Sequence, residues 1–389
     1  LEKTFNGVEY VTREEAALYA FNTLKADLVE YDTKITADVN GTTVSVGNSN
    51  AKPQEWTSQM TRNNNIYDDT HVQFAEQYFN KLVLREDMEV FGRPDREWKY
   101  DGDDIGTYVN MDLFKQEYTT EVTGKALYDL LGSNTCRDYS FEIHVDGEET
   151  EPVLKNSPSG KTGAFFTQEN LIRSNTETIG ATGNGVLTQV FVDNDKEVET
   201  VWIAVINTYL AKAVDDYNEK KDEATYKVWS LKDGDDTSRL GLVKDATKTN
   251  NLTTTIDLTV SGEDFSIEDV KKDDITLVHV ADGGIQEFVE PEIIDETTIS
   301  AFKRNSWVNA ESTQYDYASS IQYDPDVLDN YDQSNMKNTN YRIFLDEYGY
   351  AVGIEIIEEP NQYVFLTGID TRTSNLANKT AEGYVINTD

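Results

Sequence analysis

The sequence predicts a mainly β protein, β-rich and multidomain, built as small sandwiches or barrels with one short N-terminal α-helix. Three observations predict it. Apolar and polar residues alternate in run after run, the period-two signature of strands with one buried face. These runs are separated by tight-turn sequences such as Asn40-Gly41, Asp101-Gly102 and Asp346-Glu347-Tyr348-Gly349, which supply the positive φ that hairpin turns need. The composition agrees: 22 Tyr, Thr-rich stretches and only 7 Pro suit a half-buried pleated surface.

The single strong helical signal comes first. Thr12 and Glu15 have the spacing of a capping box, in which each side chain accepts from the other's backbone N–H. Ala16, Ala17, Ala20, Phe21, Leu24 and Leu28 then recur on one helical face, and the helix should end near Tyr31. From Ile35 the pattern changes to a hairpin, Ile35-Ala37-Val39 and Val44-Val46 about Asn40-Gly41. A polar loop is expected over 47–70, then strands over 71–79 and 81–90, with turns at Gly92-Arg93-Pro94 and Asp101-Gly102. A strand at 118–122, a helix at 124–132 and a strand at 140–147 follow. Small, turn-prone residues at 178–183 mark a boundary. Beyond it, VLTQVFV and VETVWIAVI pair as a long hairpin, 215–240 is charged and reads as loop, and 253–289 is β again. The last part holds strands at 297–304, a hairpin over 341–357 and a strand at 363–369; the closing GYVIN reads as a strand whose partner lies past Asp389. The expected division is 1–32 (helix), 33–180 (β with a short helix), 181–292 (β) and 293–389 (β).

Charge limits the partners. Asp and Glu number 72 against 34 Lys and Arg, a net charge of -38. Such a surface repels phosphate backbones, so nucleic acid is not an expected partner. Mean hydropathy is -0.59, and no apolar run approaches the roughly 18 residues of a membrane helix, so no membrane span is expected. Carboxylates favour divalent cations. Asp101, Asp103, Asp193, Asp195, Asp233 and Asp235 lie in acidic loops that make calcium the ion to look for. Each loop reads first as turn chemistry and only second as a ligand set, and Asp193-Asn194-Asp195 lacks the sixth-position Gly and twelfth-position Glu of a helix-loop-helix calcium site. No other cofactor is implied. Cys136 stands alone, so it has no intrachain disulfide partner. His71, His144 and His279 are isolated, and none forms a ligand pair with Cys136, so a structural zinc site is not expected.

The sequence carries no G-x-S-x-G or H-E-x-x-H motif. GATGNG at 180–185 leads into neither a helical pattern nor GK[ST], so it is not a phosphate loop. No catalytic residue is assigned and no enzyme is expected. Trp56, Trp98, Trp202, Trp229 and Trp307 fit either core packing or sugar stacking. Trp202 sits in an apolar strand and can face either side, whereas Trp307 has polar neighbours and is the better exposed platform.

Val11-Thr12-Arg13-Glu14-Glu15-Ala16-Ala17 and its amphipathic continuation resemble the end of an S-layer homology (SLH) repeat, I-T-R-A-E-x-A plus closing helix, with Glu14 for the usual alanine. Only the final part of one repeat is present. FGRP…EWKYDGDDIGTYV, GNGVLTQVFVDNDKEVETVWIAVINTYLAKA and YRIFLDEYGYAVGIEII are similar to segments that follow SLH repeats in large Gram-positive surface proteins. The resemblance implies an extracellular place on a bacterial cell surface or wall and a structural, non-catalytic, S-layer-type role. It also implies partners: copies of the chain or other surface proteins, and wall polysaccharide through SLH repeats largely outside this sequence. In the family, the motif arginine helps to bind pyruvylated polysaccharide, a carboxylate that suits the guanidinium fork. Arg13 holds that position, and its other reading is a helix-cap arginine without a ligand. A surface adhesin or glycan-binding module is the alternative, and a wall-modifying enzyme carrying its anchor is a third reading. The sequence begins inside one motif and ends inside a strand pattern, so it reads as a piece of a longer chain.

Overall fold

The computed structural model describes residues 10–31, 34–47, 51–57, 66, 69–149, 173–176, 178–179, 181–194, 199–230, 254–304, 306–323, 339–357, 363–369 and 381–386. The fold is mainly β, with strands joined chiefly into antiparallel sheets. The described residues form two compact units. One holds those up to Asn207 and His279–Gln286; the other holds the rest from Thr208 onward.

The first unit starts with helix α1 (Arg13–Lys25). Both bonds of its capping box are made: Glu15 N–H donates to Thr12 Oγ1 at 3.1 Å and Thr12 N–H to Glu15 Oε2 at 2.9 Å. None of its residues is fully buried. Phe21 and Leu24 pack against Ile66, Ala75, Leu82, Leu84 and Trp98, and the Phe21 ring meets Trp98 edge-on at 5.8 Å. After the helix the backbone is extended and laced to two later segments. Leu28 N–H donates to Val72 O at 2.8 Å, Gln54 N–H to Leu28 O at 2.8 Å and Phe74 N–H to Ala26 O at 2.8 Å.

Where the sequence suggests a strand over 71–79, Phe74–Tyr78 is a short helix, α2. Buried Glu76 explains it. Its Oε2 accepts from Gln73 N–H and its Oε1 from Ile66 N–H, bonds that close a helical turn and offset the weak strand preference. Leu82–Met88, Pro94–Tyr100 and Asp103–Val109 then form an antiparallel meander. Asp101 and Gly102 at its second turn have φ of 55° and 100°. The expected hairpin Lys34–Val39/Thr42–Gly47 forms about Asn40-Gly41 as a separate two-stranded sheet.

The core of this unit lies under helix α3 (Gly124–Asp138). Leu127 and Cys136 join Val122, Ile143, Val145, Val190, Val192, Val201 and Ile203 in one buried cluster. The helix is longer than 124–132, continuing past a non-helical Gly132 at φ 82°. Val186–Asp193 and Thr200–Ala213 form the long hairpin expected, with Val190 opposite Ile203. Ser140–Val145 adds to Thr200–Val205 in parallel. At the end of Ser140–Val145, Gly147 at φ +82° needs to be glycine: a Cβ there would lie 2.1 Å from the Val90 carbonyl oxygen.

The division between the units falls inside Thr200–Ala213, between Asn207 and Thr208. In the second unit, Glu223–Ser230 is a strand within the region read as loop. It pairs along its length with Thr254–Ser261 and with Ala211–Ala213, and it buries Ala224, Tyr226 and Val228 on alternate positions. A six-stranded sheet runs Glu292–Thr297, Tyr341–Leu345, Ala351–Ile356, Thr313–Tyr323, Trp307–Ala310, Ile299–Lys303. Its core includes Val308, Tyr317, Ile321, Tyr341, Ile343 and Ile354. The GYVIN stretch corrects an expectation: Ala381–Ile386 pairs antiparallel with Tyr363–Ile369, so its partner lies within the chain.

Candidate functional site

One polar grouping among the described residues lies where the chain leaves α1. Asp69, His71 and Gln73 alternate along an extended segment, so their side chains share one face. Gln73 is bridged to Asp27 in antiparallel register, which sets Asp27 on the same face. Gln73 Nε2 donates to Asp27 Oδ1 at 2.9 Å and to Asp69 Oδ2 at 3.0 Å. His71 Nδ1 stands 3.4 Å from Asp27 Oδ2, and His71 N–H donates to Asp69 Oδ1 at 2.9 Å. One ligand-capable atom from each of Asp27, Asp69 and His71 falls within 4.8 Å of the other two, the one grouping of three such residues found among the described residues. The two aspartates are exposed and His71 is half-buried, while Gln73 is fully buried.

Arg13 occupies the first position of α1 and is exposed. The helix dipole disfavours a cation there, whereas Glu14 and Glu15 beside it are favoured.

The acidic-loop candidates are not gathered. Asp101 lies in an exposed turn and pairs with Lys81, and Asp103 begins the neighbouring strand. Asp193 is buried at the end of Val186–Asp193. Asp195, Asp233 and Asp235 lie outside the described residues. The signal that sequence reasoning passed over was the spacing Asp69-x-His71-x-Gln73. Asp27, 42 positions before Asp69, gave no such signal.

The buried ionisable groups serve the fold. Asp146 accepts from Asn207 N–H at 2.9 Å and from its Nδ2 at 3.0 Å, fixing a turn to the central strand. Asp95 accepts from Asp87 N–H at 3.1 Å, and burial raises its carboxyl above the usual range. Burial pushes the Cys136 thiol up to about 11, so little thiolate forms at neutral pH and its reactivity is low. Trp202 is buried and donates to Glu142 Oε2 at 3.0 Å. Trp307 is half-buried at the start of its strand. No helix among the described residues is long and apolar enough to cross a membrane. Comparison with protein-family models, curated proteins and solved structures gives no match.

Proposed function

We propose that the chain is a structural, non-catalytic element of a bacterial cell surface, of S-layer type, that assembles with copies of itself or with neighbouring surface proteins. The observation that carries this reading is the strand Asp103–Val109. Among the described residues it is paired on one side only, to Pro94–Tyr100, and its first six residues are exposed on both faces. Ile105 is 60% exposed. An open border of this kind, with unpaired N–H and C=O groups, accepts a strand from another chain. The SLH-like segment, folded as a capped helix with Arg13 outward, supports a wall-polysaccharide contact at the same end of the sequence.

Sedimentation and negative-stain imaging of the purified chain test the proposal. Association into ordered oligomers or sheets is expected, and Ile105→Lys, which puts a charge on the border strand, should shift the population to monomer. A chain that stays monomeric across ionic conditions rules this reading out.

A further inference from the structure

We propose that Asn40 is a site of spontaneous chemical modification, at which the Gly41 nitrogen closes a ring on the Asn40 side chain and expels its amide. The sequence holds the dipeptide Asn-Gly at 6–7, 40–41 and 184–185. The first lies outside the described residues, and the fold treats the other two in opposite ways.

Glycine after asparagine matters because no Cβ shields the attacking nitrogen. At Gly41 that space is open: a Cβ placed there would meet nothing within 4 Å, and both Asn40 and Gly41 are exposed. They form the turn of Lys34–Val39/Thr42–Gly47, which pairs with no other strand among the described residues. A hairpin of two strands is marginal in water, so it opens often and samples the backbone angles that ring closure needs. One bond resists opening: Gly41 N–H donates to Asp38 Oδ1 at 2.9 Å. At the other pair Gly185 is buried, and its N–H donates to Thr119 O at 3.0 Å. The next residue, Val186, is 1% exposed and begins a strand of the nine-stranded sheet. Ring closure there requires undoing a core strand.

The reaction balances with water alone. The Gly41 nitrogen gives up its proton and bonds to Asn40 Cγ; the Cγ–Nδ2 bond breaks, and ammonia leaves with that proton. Water then opens the succinimide at either carbonyl. Attack at Cγ gives aspartate. Attack at the main-chain carbon gives isoaspartate, whose backbone runs through the former side chain and is one atom longer. Either product adds a negative charge to the -38 of the chain. Isoaspartate also breaks the two-residue turn, so Val39 and Thr42 lose their register. The site is independent of the proposed assembly.

The test is incubation of the whole folded chain in mildly alkaline buffer at body temperature, followed by pepsin digestion in acid and mass spectrometry. The peptide with Asn40 should gain the mass of amide-to-acid conversion and split into two chromatographic products, the larger being isoaspartate. The peptide with Asn184 should stay unchanged. In urea both pairs should convert at like rates, which assigns the difference to the fold. Asp38→Ala, a change at an exposed side chain, should speed conversion at Asn40 by about fivefold, with the circular dichroism of the chain preserved. Conversion at Asn40 no faster than at Asn184 in the folded chain would overturn the proposal, and so would an Asn40 that stays intact in the folded chain yet converts in urea.

Discussion

Asp346 closes the turn between Tyr341–Leu345 and Ala351–Ile356 with a carboxylate that is 2% exposed. Its Oδ1 accepts from Tyr348 N–H at 2.9 Å and from Tyr350 N–H at 2.8 Å, while its Oδ2 is buried without a partner. Burial dominates these bonds and pushes the group up to about 6, from an ordinary 3.8. The native chain therefore holds a proton that the unfolded chain releases between those values. Stability contributed by this group is present at acid pH and falls as pH rises from about 4 through about 6, by roughly 3 kcal/mol at most. Asp346→Asn keeps an acceptor for Tyr348 and Tyr350 but cannot ionise. Urea unfolding from pH 4 to pH 7 should show the parent losing stability relative to this variant; parallel curves would refute the assignment. Residue-scale chemistry was legible in the sequence only where partners are close along the chain. Asp69, His71 and Gln73 could have been grouped by alternation, but Asp27 joins them only through a backbone bridge, and the burial of Asp346 depends on packing that no turn motif reveals.

At the scale of elements, attachment to a core varies widely. Helix α1 buries no residue fully, and every described side chain of the hairpin about Asn40-Gly41 is exposed. Thr200–Ala213 buries all of its residues but one. Hydrogen exchange should release the amides of α1 and of that hairpin well before those of Thr200–Asn207, because an isolated two-stranded sheet is marginal in water. Thr12→Ala removes the acceptor for Glu15 N–H, a loss of about 1 kcal/mol. Exchange within α1 should then quicken by roughly fivefold, with the global unfolding midpoint unchanged; a shift of that midpoint would show the helix to be part of the cooperative core. The capping box, the Asn40-Gly41 hairpin and the hairpin at Asp346–Gly349 were readable because each closes locally. Helix α2 was not, since Glu76 must reach Ile66 N–H, ten residues away. Nor was the parallel union of Ser140–Val145 with Thr200–Val205, where partners sit 60 positions apart and period-two patterning is blind to strand direction.

For the molecule as a whole, a net charge of -38 sets carboxylates against one another in the folded state. Ion pairs such as Lys52–Glu30 and Arg342–Asp295 are well exposed and contribute little each. Raising NaCl from about 10 mM to about 100 mM shortens the screening length from about 30 Å to about 10 Å. Scanning calorimetry should show the melting temperature rising over that range; a fall would mean that attractive pairs outweigh the repulsion. Sequence patterning predicted the β class but could not reveal how the chain is shared between units, because a crossing inside a strand leaves no break in alternation. The first unit takes back His279–Gln286 after the second has begun, so neither is an unbroken stretch of sequence. Neither unit can be excised or exchanged as a cassette: a cut after Asn207 would sever a strand amid buried residues and leave the earlier unit lacking a piece that is translated later.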